Sequence, residues 1–293
     1  MKGKHGFLYH LVAIVISIIW GTTFASTKVL ITNGMTPEEI FFIRFSVAYI
    51  GIWFFSSRKI WANSKWDEFL LLLVGLTGGS LYFLSENTAL GLTQTTNVAF
   101  IVCTAPLMTT LLALLFDKDE KATIGIITGS LMALFGVLLV VFNGHFILKL
   151  SPTGDLLSFI AALSWAFYSL LIKRLAQRYS ILFISRKVFF YGLVTILPVF
   201  LFRSPTLTLS MLLQPCILYN LIYLSVVASL ICFFVWNVVL KQLGPLRASN
   251  YIYLNPLVAS LVSAFILNER MTLVLIIGFV FILGGIVIAE KKS

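Results

Sequence analysis

Charge is the first thing this sequence lacks. Only 11% of its 293 residues are Asp, Glu, Lys or Arg, while 59% are hydrophobic. A water-soluble chain carries roughly a quarter charged residues, because polar side chains must cover its surface. With a mean hydropathy of +1.01, the solvent implied is lipid. Cysteine is scarce: Cys103, Cys216 and Cys232 all fall in apolar runs, which argues against a disulfide framework. The three histidines, His5, His10 and His145, are scattered and give no metal-ligand spacing. No G-x-x-x-x-G-K-[ST] segment occurs, so the chain has no ATPase site of its own. There is no Ser-His-Asp arrangement and no selectivity-filter-like run. Metal, cofactor and nucleic acid are all unexpected partners. No short cleavable signal peptide is evident, and the first apolar run reads as a retained span. No linker is long enough to hold a folded soluble domain. Function is therefore expected inside the membrane helices.

Ten apolar segments are present, with approximate cores at 8–27, 39–56, 68–90, 94–116, 123–142, 154–172, 182–202, 211–240, 246–267 and 272–289. Most approach the roughly 20 residues that cross about 30 Å of hydrocarbon. The eighth is too long for one straight span, and its first part, around Gln214–Pro215, is expected at the interface. Pro37 suits a first helical turn, followed by Glu38 and Glu39 at the favourable end of the helix dipole. If both termini are inside, 14 of the 21 Lys and Arg residues fall in inner segments. The positive-inside rule then places both ends in the cytoplasm.

The chain also repeats itself. Shifting Leu90–Ala122 by 150 positions sets Pro106 on Pro256, Leu107 on Leu257 and Asp119 on Glu269; upstream, Asn87 falls on Asn237. Weaker matches join Trp20 to Trp165, Lys28 to Lys173, Arg44 to Arg186, and Gly129 and Gly136 to Gly278 and Gly285. Two units of about half the chain are expected, at 1–145 and 150–293. Five helices per unit is an odd number, so the copies enter the membrane from opposite sides, as inverted repeats of secondary transporters do. The fold class expected is an all-α integral membrane protein of ten helices in two inverted five-helix repeats.

The ten spans, the W-G-T-T-F segment Trp20–Phe24, and the Pro-Leu pairs at Pro106 and Pro256 resemble the drug/metabolite transporter superfamily, specifically its EamA-type members. The resemblance covers nearly the whole chain; its motifs speak to fold far more than to substrate. It implies cytoplasmic termini and a central cavity surrounded by the first four helices of each half. It also implies peripheral fifth and tenth helices, and export of an amino acid or other small metabolite across the bacterial inner membrane. Trp20–Phe24 would match the family's first-helix motif, with Trp165 its partner in the second half. Asn268–Glu269 would match the acidic ending after the ninth helix; Asp117-Lys118-Asp119-Glu120 is a more charged version of it in the first half.

Individual residues carry alternatives. Glu86 is a lone carboxylate within the third span, where such groups face the bundle interior or an aqueous path. It reads as a ligand for a substrate amine, as a proton-coupling carboxylate, or as a partner of Lys28 or Arg44. Arg44 and Arg186 read as repeated ion-pair or helix-end residues, or as substrate contacts; Lys28 reads as a snorkelling side chain. Trp20 and Trp165 read as cavity walls or interface anchors. Asn87, Asn97, Asn237, Asn250 and Asn255 are expected to face inward, since an amide facing lipid would be unsatisfied; each serves substrate or helix packing. Tyr82, Tyr168, Tyr251 and Tyr253 are similar candidates. Pro106 and Pro256 each free a carbonyl, at Val102 and Ile252, and read as gating or static kinks. Gly129, Gly136, Gly278, Gly284 and Gly285 mark close helix contacts, within the chain or in a homodimer. The rivals to a transporter are a membrane-embedded lipid-modifying enzyme, which would want clustered Asp, His or Glu at one interface, and a non-transporting membrane interaction protein.

Overall fold

The computed structural model describes residues 2–56, 59–116, 123–142, 151–202, 206–267 and 273–290. The charged stretch 117–120, the connection 143–150 and the Asn268–Glu269 ending lie outside them. Every regular element among the described residues is helical. Apart from the single turn Leu209–Leu212, in chain order these are α1 (Lys2–Thr32), α2 (Pro37–Trp53), α3 (Lys65–Leu92), α4 (Thr95–Val102), α5 (Ala105–Phe116) and α6 (Ile124–Phe142). They continue with α7 (Pro152–Leu175), α8 (Ile181–Leu201), α9 (Pro215–Leu243), α10 (Pro245–Asn250), α11 (Leu254–Leu267) and α12 (Leu273–Glu290). Among the described residues, seven helical stretches are long and apolar enough to cross a membrane. They are all or part of α1, α3, α6, α7, α8 and α9, and the run Asn97–Phe116 through α4 and α5. The protein is an all-α, multi-pass membrane protein.

Local chemistry sets the helix starts. Thr36 and Glu39 form a reciprocal capping box around Pro37, with Thr36 N donating to Glu39 Oε2 at 2.9 Å; such a cap is worth about 1 kcal/mol. Gly34, at φ 93°, makes the turn before it. Ser151 caps α7 ahead of Pro152. Gly244, at φ 81°, ends α9 so that Pro245 can begin α10.

Four interruptions break the long rods. Wide π turns occupy Leu76–Ser80 in α3 and Tyr223–Ile231 in α9. Cys103 and Thr104 separate α4 from α5, and the 3-10 turn Tyr251–Tyr253 separates α10 from α11. The last two breaks lie just ahead of Pro106 and Pro256, whose missing N–H leaves the carbonyl four residues earlier without its helical donor. For Ile252 the replacement donor is Cys103 Sγ, at 3.5 Å from the carbonyl oxygen.

The two ends of the bundle are closed differently. At one end the start of α3 meets the turn after α7: Asp67 accepts from Arg178 Nη1 and from Tyr179 OH, both at 2.8 Å. Beside it Glu68 is held by Lys187 and Tyr191. At the opposite end Glu39 Oε1 accepts from Thr206 N at 2.6 Å and Leu207 N at 3.1 Å, over an apolar cluster of Leu30, Met35, Ile40, Ile217, Leu221 and Leu224. Between the ends, aromatic rings lock α2, α3, α8 and α9. Phe45 lies 5.3 Å from Phe83 and 5.2 Å from Phe189 between ring centroids, contacts of about 0.5–1.5 kcal/mol each.

Outside this body, α6 and α12 pack on each other through glycine. Gly129 lies against Gly285, and Gly136 against Gly278. The glycines expected to mark close contacts thus meet within one chain. A Cβ added at Gly136 would stand 2.7 Å from the Gly278 carbonyl oxygen. Gly136→Val should therefore push the pair apart and destabilise the protein by about 1–3 kcal/mol. Thermal unfolding of detergent-purified protein checks this; an unchanged midpoint would remove the contact from the account.

Candidate functional site

One cavity opens within the helical body. α1 supplies Trp20, Thr23 and Phe24, α2 supplies Arg44, and α3 supplies Tyr82, Phe83 and Glu86. Val102 and Ala105 flank the first proline break, and Ile252 and Asn255 flank the second. Trp165 of α7 and Phe233 of α9 complete the wall.

The charges inside are each solvated by neutral groups. Tyr82 OH, one turn before Glu86, donates to Glu86 Oε1 at 2.7 Å. Arg44 Nε donates to Ser229 Oγ at 3.1 Å, in the π turn of α9, and its guanidinium lies 4.6 Å from the Phe83 ring centroid. Glu86 and Arg44 act on each other electrostatically, yet no direct ion pair joins them among the described residues. The opposite wall is aromatic. Trp20 meets Trp165 edge-to-face at 5.4 Å and Trp236 at 5.0 Å, and Tyr82 lies 5.0 Å from Trp165. Trp20 Nε1 donates to Ala228 O at 3.2 Å, so its ring is fixed by the unwound turn of α9. Two buried polar atoms of the cavity residues have no hydrogen-bond partner among the described residues: Trp165 Nε1 and Asn255 Oδ1. Leaving such a group unmatched costs about 1–3 kcal/mol.

Of the candidates read from sequence, Trp20, Phe24, Arg44, Tyr82, Glu86, Trp165 and Asn255 line this cavity. The others are placed elsewhere. Asn237 accepts from Tyr168 OH and donates to Ser185 Oγ at 2.9 Å, a buried clamp between α7, α8 and α9. Asn87 Nδ2 reaches Pro37 O at 3.4 Å, and Asn97 Nδ2 reaches Thr93 Oγ1 at 3.5 Å. Tyr251 pairs with His10 Nδ1 at 2.7 Å. Lys28 bonds Leu90 O, tying the end of α1 to the end of α3. Arg186 bonds Lys59 O at the loop end, far from the role its repeat partner Arg44 takes. Pro106 and Pro256 stand behind the wall and shape it through Val102 and Ile252. Thr23, Phe83, Ala105 and Phe233 escaped the sequence reading. Thr23 had a usable signal, since it shares a helix face with Trp20 three residues earlier.

Apolar helices around a largely apolar central cavity that holds one carboxylate and one guanidinium, with no cluster of potential metal ligands among the described residues, define a multi-pass membrane protein with a cleft inside its helical body. The sequence profile of the EamA-like transporter family matches residues 7–142 and again 152–290, and the chain belongs to that family, one of transporters and not of enzymes. A protein of Escherichia coli strain K12 named as a probable amino-acid metabolite efflux pump is 28% identical over 298 residues, covering 98% of this chain and 95% of its own length. A protein of Salmonella typhimurium with the same description is 27% identical, with 98% and 95% covered. An uncharacterized transporter of Archaeoglobus fulgidus is 25% identical over 97% of this chain and 98% of its own. A solved crystal structure superposes with a TM-score of 0.75 at 18% identity over 96% of each chain, a likeness of fold.

The electrostatic link between Glu86 and Arg44 can be measured directly. Arg44→Gln and Glu86→Gln should each destabilise the protein, and the double variant should be more stable than the sum of the two losses by about 0.5–3 kcal/mol. Chemical unfolding in detergent supplies the cycle; strict additivity would mean that the two charges do not sense each other.

Proposed function

We propose that the chain is a secondary transporter that moves a small zwitterionic metabolite of the amino-acid type across the bacterial inner membrane, in the export direction, by alternating access. The observation that carries this reading is the presence of Glu86 and Arg44 in one cavity whose wall comes from both family-matched stretches. A carboxylate and a guanidinium held apart suit a ligand with an ammonium at one end and a carboxylate at the other. A ligand of net charge would leave one of them unbalanced in a medium of low dielectric. Trp20, Trp165, Phe24 and Phe233 offer faces for an apolar side chain. The names of the Escherichia coli and Salmonella relatives agree with this substrate class and with efflux.

The architecture that goes with it is ten spans in two inverted halves, 1–145 and 150–293, with both termini in the cytoplasm. The glycine contacts support a two-fold relation. Gly129 corresponds to Gly278 and Gly136 to Gly285 in sequence, while the contacts run crosswise, Gly129 to Gly285 and Gly136 to Gly278. Crosswise pairing of equivalents is what a two-fold axis produces. The unwound turns agree: Trp20 donates to Ala228 O in one, and Ser164 donates to Thr77 O at 2.7 Å in the other. Helices broken beside the cavity give each half a place to bend, so that one end can open while the other closes.

Proteoliposomes loaded with a panel of amino acids and related zwitterions test the function. Wild-type protein should show saturable flux of at least one of them, and Glu86→Gln should reduce it about tenfold or more, the effect of losing one charge-assisted contact. Absence of flux for every solute with folded protein sinks the reading; unchanged flux in Glu86→Gln at every pH reduces Glu86 to structure. The topology has its own test. Single cysteines at positions 60 and 290 should react with an impermeant reagent from the same side of the membrane.

A further inference from the structure

A second cavity lies at the end of the bundle where the 54–64 loop meets the start of α8. Its wall includes Trp53 of α2, Ile60 and Trp61 of the loop, and Arg186, Lys187 and Phe190 of α8. Arg186 and Lys187 are only 2% and 4% exposed. The Arg186 guanidinium lies 4.4 Å from the Trp53 ring centroid and donates to Lys59 O. The Lys187 ammonium lies 4.8 Å from the Trp61 ring centroid and pairs with Glu68. Lys59 stands 5.1 Å from the Tyr179 ring centroid, and Arg178 is paired with Asp67. Lys59, Arg178, Arg186 and Lys187 thus gather in a corner where, among the described residues, Arg178 pairs with Asp67 and Lys187 with Glu68, so positive charge outnumbers negative there and an anion suits it.

The surroundings say where this corner sits. Trp61 is 67% exposed and neighbouring Phe54 is 82% exposed, the pattern of aromatic side chains at a membrane–water boundary. From the cavity an aromatic seam runs between α2 and α8, through Tyr49–Phe190 at 5.8 Å to Phe42–Phe200 at 5.5 Å. Val194 and Leu197 continue the Phe190 face of α8 at helical spacing and are exposed. A cationic end therefore adjoins a strip of packed aromatic and exposed apolar side chains along α2 and α8.

We propose that this cavity binds the phosphate-bearing headgroup of an anionic phospholipid, with an acyl chain lying along the α2–α8 seam. A soluble anion would use the cations and leave the seam idle; a lipid uses both. Basic pockets between helices at a membrane surface are suited to such headgroups. Because Trp53 and Trp61 belong to the first family-matched stretch and Arg186 and Lys187 to the second, the lipid bridges the two. It stabilises whichever arrangement keeps that end together. The inference needs only a membrane-embedded protein and stands apart from the transport reading.

Native mass spectrometry of the full chain in detergent, equilibrated with equal amounts of phosphatidylglycerol and phosphatidylcholine, tests it. Wild-type protein should retain phosphatidylglycerol in preference, and Arg186→Gln should weaken that preference about fivefold, the effect of one cation near a headgroup. Equal retention of the two lipids by the wild type overturns the proposal, and so does a preference that survives Arg186→Gln. Displacement of phosphatidylglycerol by millimolar inorganic phosphate would assign the site to a soluble anion and overturn it equally. Should Arg186→Gln fail to fold, the exposed pair Lys59→Gln and Trp61→Ala decides the question by the same criterion.

Discussion

Hydrocarbon offers no hydrogen bonds, so a carbonyl released by a helix break in a membrane protein must find a donor within the protein. Much of this structure follows from that demand. Thr77 O, in the π turn of α3, accepts from Ser164 of α7. Ala228 O, in the π turn of α9, accepts from the indole of Trp20 in α1. Ile252 O, freed by Pro256, accepts from Cys103, which itself sits in the break ahead of Pro106. In each case the donor comes from the other family-matched stretch of the chain. The breaks are therefore stitches across the seam between the two stretches, and each stretch supplies donors that the other lacks. That is why polar side chains collect along the seam and why the cavity forms there: broken helices cannot fill the space that straight ones would.

The two ends of the seam are built from different chemistry. At the loop end, Asp67 and Glu68 in the first turn of α3 take donors from Arg178, Tyr179, Lys187 and Tyr191. Shifting the chain by 150 residues sets Ile217 and Leu218 of α9 on those two carboxylates, and the corresponding contact, at the other end, is the apolar cluster around Leu30, Ile40 and Ile217. Separating an apolar contact within a lipid environment costs little beyond lost packing. Separating ion pairs exposes charges that water must then solvate, so it depends on access to the aqueous phase. The two ends of the bundle are thus held by contacts that respond differently to water.

What the residues disclosed before any coordinates follows the same physics. Proline is legible because its missing N–H acts locally, and the breaks at 103–104 and 251–253 stand one turn or less before Pro106 and Pro256. A lone carboxylate in an apolar run is legible because it has few tolerable surroundings, and Glu86 lies in the central cavity. The π turn at Tyr223–Ile231 had no such mark. Its sequence, Y-L-S-V-V-A-S-L-I, contains neither proline nor glycine, and what holds it open is a tryptophan some 200 positions away, at a sequence separation of 208. The amides were legible as buried but not as bound. Asn237 is fully buried, yet its oxygen is engaged by Tyr168 and its nitrogen by Ser185, and pairing across helices leaves no trace in a linear pattern. Phe83 and Phe233 are two among 26 phenylalanines, and only packing separates them from the rest.

The separation of Glu86 from Arg44 is the feature that gives the central cavity its character. Two opposite charges in a medium of low dielectric attract strongly, and a direct pair would be the simplest way to bury both. Instead Tyr82 occupies one carboxylate oxygen, while Ser229 and the Phe83 face occupy the guanidinium. Neutral partners lower the free energy of each charge without cancelling it, so the field between them persists across the empty space. A closed ion pair would have to be broken before anything entered. Under the transport reading proposed above, two groups kept from pairing by neutral partners would meet a zwitterionic substrate without first breaking a bond to each other. The same neutral partners anchor the site to α3 and to the unwound turn of α9. Movement of either element changes the distance between the charges, and with it the fit of whatever lies between them.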